Sequence, residues 1–219
     1  MNRPEWILFD YGQTLGDEAP FDGLAGTQAL LDHADNPKHV TAKEVQIRAT
    51  ELNHAIGRFE PGFTCEITQA AISRALYEPL DIHLNLSPLE TEEIFWDHAS
   101  PVTAAPGAAG MLAALRAAGI RTGIVSNMSY SGEALKRRLA RLFPEHSFAF
   151  VMTSSDYVFC KPHPEIFRMA LHKTNAAPQK VWFIGDNGLC DVDGSAAMGM
   201  KPFWYRGLRP GSSHEPTVP

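Results

Sequence analysis

Apolar positions along this chain fall into two kinds of run. Trp6-Ile7-Leu8-Phe9, Ile120 to Val125, Phe148 to Met152, Val181 to Gly185 and Lys201 to Tyr205 have the length expected of strands, and the continuity of the first marks burial on both faces. After Pro101 these runs alternate with helical spacing. Pro106-Gly107 opens an Ala- and Leu-rich helix through Ala118 that Gly119 stops, a second helix spans about Ser131 to Leu142, and Pro164 opens a third through Leu171. Strands separated by helices predict a doubly wound parallel α/β sheet with helical crossovers.

From about Phe21 to Ser100 the pattern predicts helices and no strands. Thr41-Ala42-Lys43-Glu44 and Ser87-Pro88-Leu89-Glu90 each place a hydroxyl at an N-cap with a Glu three residues on, and Pro88 suits a first helical position. Val45, Leu52 and Ile56 then share one helix face, and Ile94, Phe95 and Trp96 form an apolar patch on the other helix. The reading is an α/β core of residues 1–16 and 101–208, a helical cap of residues 17–100 inserted after the first strand as a lid, and a loosely attached tail, 209–219, with three Pro.

Composition narrows the function. The 219 residues are 44% hydrophobic and 20% charged, enough for one sizeable core with an accessory unit. Nineteen Lys plus Arg against twenty-five Asp plus Glu give a net charge of −6, and no basic cluster offers a footprint for a nucleic acid. No apolar run approaches the ~20 residues that cross a bilayer. The N-terminus has no secretory pattern, so a cytoplasmic location is expected, without a membrane partner. Cys65, Cys160 and Cys190 are odd in number and lack a Cys-x-x-Cys pair, which predicts reduced thiols.

The chemistry concentrates at strand ends. Val181 to Gly185 leads into Asp186, with Asp191 five positions later. Two carboxylates at a strand-to-helix turn suit a hard divalent cation such as Mg²⁺; the plainer reading makes Asp191 and Asp193 dipole-complementing acids near a helix start. Ser126-Asn127 ends another strand, Cys160-Lys161-Pro162 precedes a helix, and Asp10 closes the first strand, where an apolar setting makes an unpaired carboxylate costly.

With these residues in order, the chain resembles the haloacid dehalogenase superfamily, most of whose members are Mg²⁺-dependent phosphohydrolases. The resemblance runs from about Trp6 to Tyr205 and rests on four motifs: Asp10-Tyr11-Gly12-Gln13-Thr14-Leu15, Ser126-Asn127, Lys161-Pro162, and Gly185-Asp186 with Asp191. It implies a nucleophilic Asp10 that forms an aspartyl phosphate, with Ser126 and Lys161 stabilising the transferring group. Thr14, Ser126, Asn127 and Lys161 would bind substrate. Asp10, the Gly12 carbonyl, Asp186 and Asp191 would hold the Mg²⁺.

One position departs from the family. Phosphatases of this superfamily usually carry a second Asp two residues after the nucleophile, as general acid and base; here Gly12 stands there, and losing such a group typically costs ~10²–10⁴-fold in rate. The chain is then read as a phosphatase for esters with good leaving groups, or one that recruits Asp17, Glu18 or a cap histidine. The other readings are a weakly catalytic or non-catalytic binder of phosphorylated ligands and, behind it, a haloacid dehalogenase. Lys38 and Lys43 read as surface charges rather than Schiff-base lysines. His33, His39, His54, His83 and His98 lack zinc-site spacing. Phe59, Phe63 and Tyr77 are candidates for contact with a leaving group, the expected partner is a small phosphorylated metabolite, and the assembly is a monomer or homodimer.

Overall fold

The computed structural model describes residues 3–57, 62, 64–208 and 215–218. In chain order the elements are β1 (Trp6–Phe9), β2 (Gly16–Glu18), α1 (Gly23–Leu31), β3 (Ala34–Asp35), α2 (Ala42–Ile56), α3 (Gln69–Tyr77), β4 (His83–Leu84), α4 (Pro88–Ala99), β5 (Val102–Ala104) and α5 (Ala108–Ala117). They continue with β6 (Arg121–Ser126), α6 (Gly132–Leu142), β7 (Phe150–Thr153), α7 (Ser154–Tyr157), α8 (Pro164–Thr174), β8 (Val181–Gly185), α9 (Gly194–Ala197) and β9 (Lys201–Trp204).

The chain divides into two compact units. One is formed by Met1–Asp17, Thr64–Glu66 and Thr103–Pro219, the other by Glu18–Phe63 and Ile67–Val102. In the first, five strands make a parallel sheet in the order β7-β6-β1-β8-β9. The doubly wound α/β class follows from the sequence pattern and is the one observed. From β1 the chain winds outward through β6 and β7, then returns to the other side of β1 for β8 and β9. That reversal places the carboxyl ends of β1, β6 and β8 side by side, the crevice in which open parallel sheets bind ligands.

Burial explains the continuous apolar runs. All four residues of β1 are buried, and Trp6 and Leu8 pack with Val125, Met152, Ile166, Phe167, Val181 and Phe183. Phe167 meets Phe183 edge-on, with ring centroids 5.5 Å apart, the favoured geometry for aromatic pairs. Helix α5 ends before Gly119, whose φ of 68° is the left-handed turn that frees the chain to enter β6.

The second unit is mainly helical, and both expected capping boxes are present, at Thr41 and Ser87. Val45, Phe95 and Trp96 are buried, while Leu52, Ile56 and Ile94 are half-buried. The expectation of a strand-free stretch needs correction: β3 and β4 pair antiparallel, Ala34 with Leu84 and Asp35 with His83. Two residues a side leave no period for a pattern to reveal. At three residues each, β2 and β5, which pair with each other, are also too short to show a period, and α8 runs one turn farther than Leu171.

Of the tail, residues 209–214 and 219 lie outside the described residues. Within the described part, the Thr217 and Val218 amides donate to the Asp193 carboxylate at 2.9 and 3.1 Å. Cys65, Cys160 and Cys190 are free thiols, as expected. Lys38 forms an exposed ion pair with Asp81, 2.5 Å long.

Phe167→Ala should lower the unfolding free energy by about 3–5 kcal/mol, the cost of deleting a fully buried aromatic ring. Urea denaturation with an unchanged m-value is the measurement.

Candidate active site

Three strand ends supply the first groups. Asp10 follows β1, and its amide donates to the Ile184 carbonyl of β8 at 2.9 Å, which ties the residue to the neighbouring strand. Ser126 is the last residue of β6, and its hydroxyl donates to Asp10 Oδ1 at 2.8 Å. Gly185-Asp186 ends β8. The Asp186 carbonyl accepts from the Trp204 indole at 2.7 Å, which fixes the strand's exit.

Lys161 arrives from the segment between α7 and α8. Its Nζ donates to Asp10 Oδ1 at 2.7 Å and to Asp191 Oδ1 at 2.6 Å, and the residue is 4% exposed. The ammonium also lies 5.3 Å from the Phe183 ring centroid. Burial pulls its pKa down, but the charges and hydrogen bonds of Asp10 and Asp191 outweigh that and raise it, so Lys161 stays protonated.

Asp191 is presented by an unusual turn. Gly188–Asp193 is π-helical, a rare form found frequently at functional sites. Asp191 Oδ2 accepts from the Asn187 amide at 2.9 Å, so both carboxylate oxygens are held. A Cβ on Gly185 would come within 2.6 Å of Asp191 Cβ and nearer still to its carboxyl group, so the strand must end in glycine for the turn to close. Beside it, burial pushes the Cys190 thiol up to about 11, leaving an inert thiol.

Asp10, Asp186 and Asp191 each bring an oxygen to within 4.8 Å of the others, and among the described residues they are the group that can hold a metal ion. Burial, then repulsion from Asp10 and Asp191, pushes Asp186 up to about 7. Burial first, partly offset by Lys161, pushes Asp191 up to about 6. One ammonium does not balance three carboxylates, and a cation would.

The remaining expected residues are placed differently. The Asn127 side chain is taken up by the Lys161 main chain: Nδ2 donates to the Lys161 carbonyl at 2.8 Å and Oδ1 accepts from its amide at 2.7 Å. Both polar atoms of the carboxamide are thus engaged by one peptide segment. Thr14 is 5% exposed, its hydroxyl has no hydrogen-bond partner among the described residues, and it lines an apolar cavity of about 210 Å³ with Phe9, Leu15, Pro106, Met111 and Ile184. It does not join the network around Asp10. Gly12 lies in the turn after β1, where its neighbour Gln13 adopts φ 55°, a conformation non-glycine residues rarely take. Of the candidate proton donors, Glu18 accepts from the Trp96 indole at 2.9 Å. Tyr77 is buried, its phenol pushed up to about 12 by burial; Phe59 and Phe63 lie outside the described residues.

Sequence reasoning missed Glu66. Thr64–Glu66 groups with the sheet unit, and the Cys160 amide donates to the Thr64 carbonyl at 2.8 Å. Glu66 Oε2 accepts from the Ser154 hydroxyl at 2.9 Å and from the Cys160 thiol at 3.5 Å, immediately before Lys161. No periodicity marks a three-residue excursion of this kind.

Over residues 6–199 the chain matches the family described as haloacid dehalogenase-like hydrolase. It belongs to that family. Among relatives, it is 34% identical to the glyceraldehyde 3-phosphate phosphatase of Pyrococcus abyssi, over 91% of this chain and 80% of that one. It is 26% identical to the enzyme of the same name from Pyrococcus furiosus, over 94% and 82%. Among solved structures, the HAD phosphatase of Thermococcus onnurineus superposes with a TM-score of 0.65 at 25% identity, over 96% of this chain and 91% of that one. The haloacid dehalogenase-like frame thus includes every element that carries Asp10, Ser126, Lys161 and Asp191.

The raised carboxylates have a consequence for stability. A folded pKa of about 7 for Asp186 against its ordinary 3.8 means that between those values the native state binds more protons than the unfolded chain. Stability from this group is therefore lost as pH rises from about 4 to about 7. In buffer containing a chelator, Asp186→Asn should flatten that decline relative to the unaltered protein, read from urea midpoints across the range.

Proposed function

We propose that this hydrolase cleaves small phosphate monoesters through an aspartyl-phosphate intermediate on Asp10. The observation that carries the reading is the buried Lys161 ammonium held between Asp10 and Asp191 at 2.7 and 2.6 Å. A carboxylate pinned beside a permanent cation can approach an anionic phosphoryl group that would otherwise repel it. Ser126 and Lys161 both hold Oδ1 of Asp10, so Oδ2 is the attacking oxygen. In the first step the Asp10 Oδ2–phosphorus bond forms and the ester P–O bond breaks, its electron pair leaving with the alcohol oxygen. Water then attacks the phosphorus and the Asp10 Oδ2–phosphorus bond breaks, its electron pair returning to the carboxylate; the water's proton passes to solvent, the alkoxide takes one from solvent, and alcohol and inorganic phosphate are released.

Mg²⁺ fits the carboxylate group on donor chemistry: hard oxygen ligands converge and repel one another in a partly buried site. Asp10, Asp186 and Asp191, with the Gly12 carbonyl, would hold it. When bound it supplies positive charge that offsets the repulsion between nucleophile and substrate. Asn127 acts by fixing the main chain of Lys161, and the Ser126 hydroxyl by donating to the carboxylate it orients.

Gly12 leaves the leaving group without the usual acid, and the Glu18 carboxylate is engaged by Trp96. The reading therefore favours esters whose alcohols leave readily, and an aryl phosphate should be cleaved faster than an alkyl one. Glyceraldehyde 3-phosphate, the compound in the names of two relatives, is the first metabolite to assay. The weakly catalytic reading rests on the same glycine and is favoured if all esters turn over at a rate independent of Asp10.

Phosphate release from p-nitrophenyl phosphate should require Mg²⁺ and disappear in Asp10→Asn. Lys161→Met should fall by about 10²-fold or more, the scale for removing one charge-stabilising donor. Equal rates for the unaltered protein and Asp10→Asn would overturn the proposal.

A further inference from the structure

Arg138 stands out in α6. It shares a helix face with Ala134 and Leu135, four and three residues earlier, where spacing calls for an apolar side chain, and it is 1% exposed. Burying a guanidinium is costly unless it is hydrogen-bonded. Its Nε donates to the hydroxyl of Tyr11 at 2.7 Å, and Tyr11, the residue after the nucleophile, is fully buried.

Tyr11 is the knot of the turn that follows Asp10. Its carbonyl accepts the amides of Thr14, Leu15 and Gly16 at 3.3, 2.9 and 3.0 Å. Its ring lies so close over Gly16 that a Cβ there would stand 2.9 Å from Tyr11 Cε2. The turn also contains Gln13 in its left-handed conformation, which persists only where surrounding contacts impose it. A ring locked at both edges, by Gly16 on one side and by Arg138 at the hydroxyl, imposes it.

We infer that Arg138 and Tyr11 form a positioning pair that holds the Asp10–Gly16 turn in its working geometry. Arg138 thereby links the helix following Ser126 to the loop following Asp10. Both are positioning residues, acting through Asp10 and its turn. The kinetic half of this inference rests on the phosphatase reading, while the anchoring of the turn does not depend on it.

The test uses Tyr11→Phe, Arg138→Met and the double variant of the full chain. Arg137→Met, an exposed position on the same helix, is the control. Amide hydrogen exchange at Leu15 and Gly16 reads the turn directly. Turnover of p-nitrophenyl phosphate with Mg²⁺ reads the nucleophile. Tyr11→Phe keeps the ring and removes the acceptor, so it should fold, speed exchange at both amides about ten-fold, and lower kcat roughly ten- to hundred-fold with KM within two-fold, as misplacement of a reacting group does. The double variant should be no slower than the worse single one, because the two side chains act as a unit. Exchange that is unchanged in Tyr11→Phe, an unchanged kcat in an active enzyme, or losses that multiply in the double variant would overturn the inference. Accelerated exchange in a chain whose unaltered form shows no Asp10-dependent turnover would remove the phosphatase reading and leave the anchor standing.

Discussion

The site is organised by a single ammonium shared between two buried carboxylates. Removing a Lys and two Asp from water is expensive, and their mutual attraction repays it only with short, well-directed bonds. The distances of 2.7 and 2.6 Å meet that condition. The arrangement is nonetheless short of positive charge, and burial first, with repulsion from Asp10 and Asp191 added, brings the proton affinity of Asp186 near neutrality. The three carboxylates lie close enough together to share one metal ion. Stability and chemistry thus pull on the same charges, and the sheet around them supplies the rigidity that neither carboxylate could provide alone.

That rigidity comes largely from main-chain contacts. The Asn127 amide grips the amide and carbonyl of Lys161, the π-helical turn aims Asp191, and the carbonyl of Tyr11 gathers three amides of its loop. Each of these fixes backbone before it fixes a functional group. Exposed loops carrying the same side chains would fail to hold them to the tenths of an ångström that phosphoryl transfer demands.

The frame of the molecule was legible because its strands are buried on both faces, which leaves unbroken apolar runs such as Trp6–Phe9. Asp10, Ser126, Lys161, Asp186 and Asp191 were legible as polar residues at the ends of, or just beyond, such runs. What escaped had no local signal. The β3–β4 ribbon is too short to show a period, Glu66 reaches Cys160 from 94 positions away, and Arg138 looks like one more basic residue in the run Lys136-Arg137-Arg138. The clasp between Asn127 and the Lys161 main chain has no mark in the sequence either, because a side chain at a strand end reads alike whether it faces a ligand or a neighbouring loop.

The Asn127–Lys161 clasp carries an implication for how this chain can diverge. A carboxamide there presents a donor and an acceptor in the one order that the facing peptide accepts. An aspartate, by mutation or by slow deamidation, would set an oxygen against the Lys161 carbonyl in place of the donor and leave the grip half broken. A substitution at position 127 therefore acts on the path of the backbone thirty-four residues downstream.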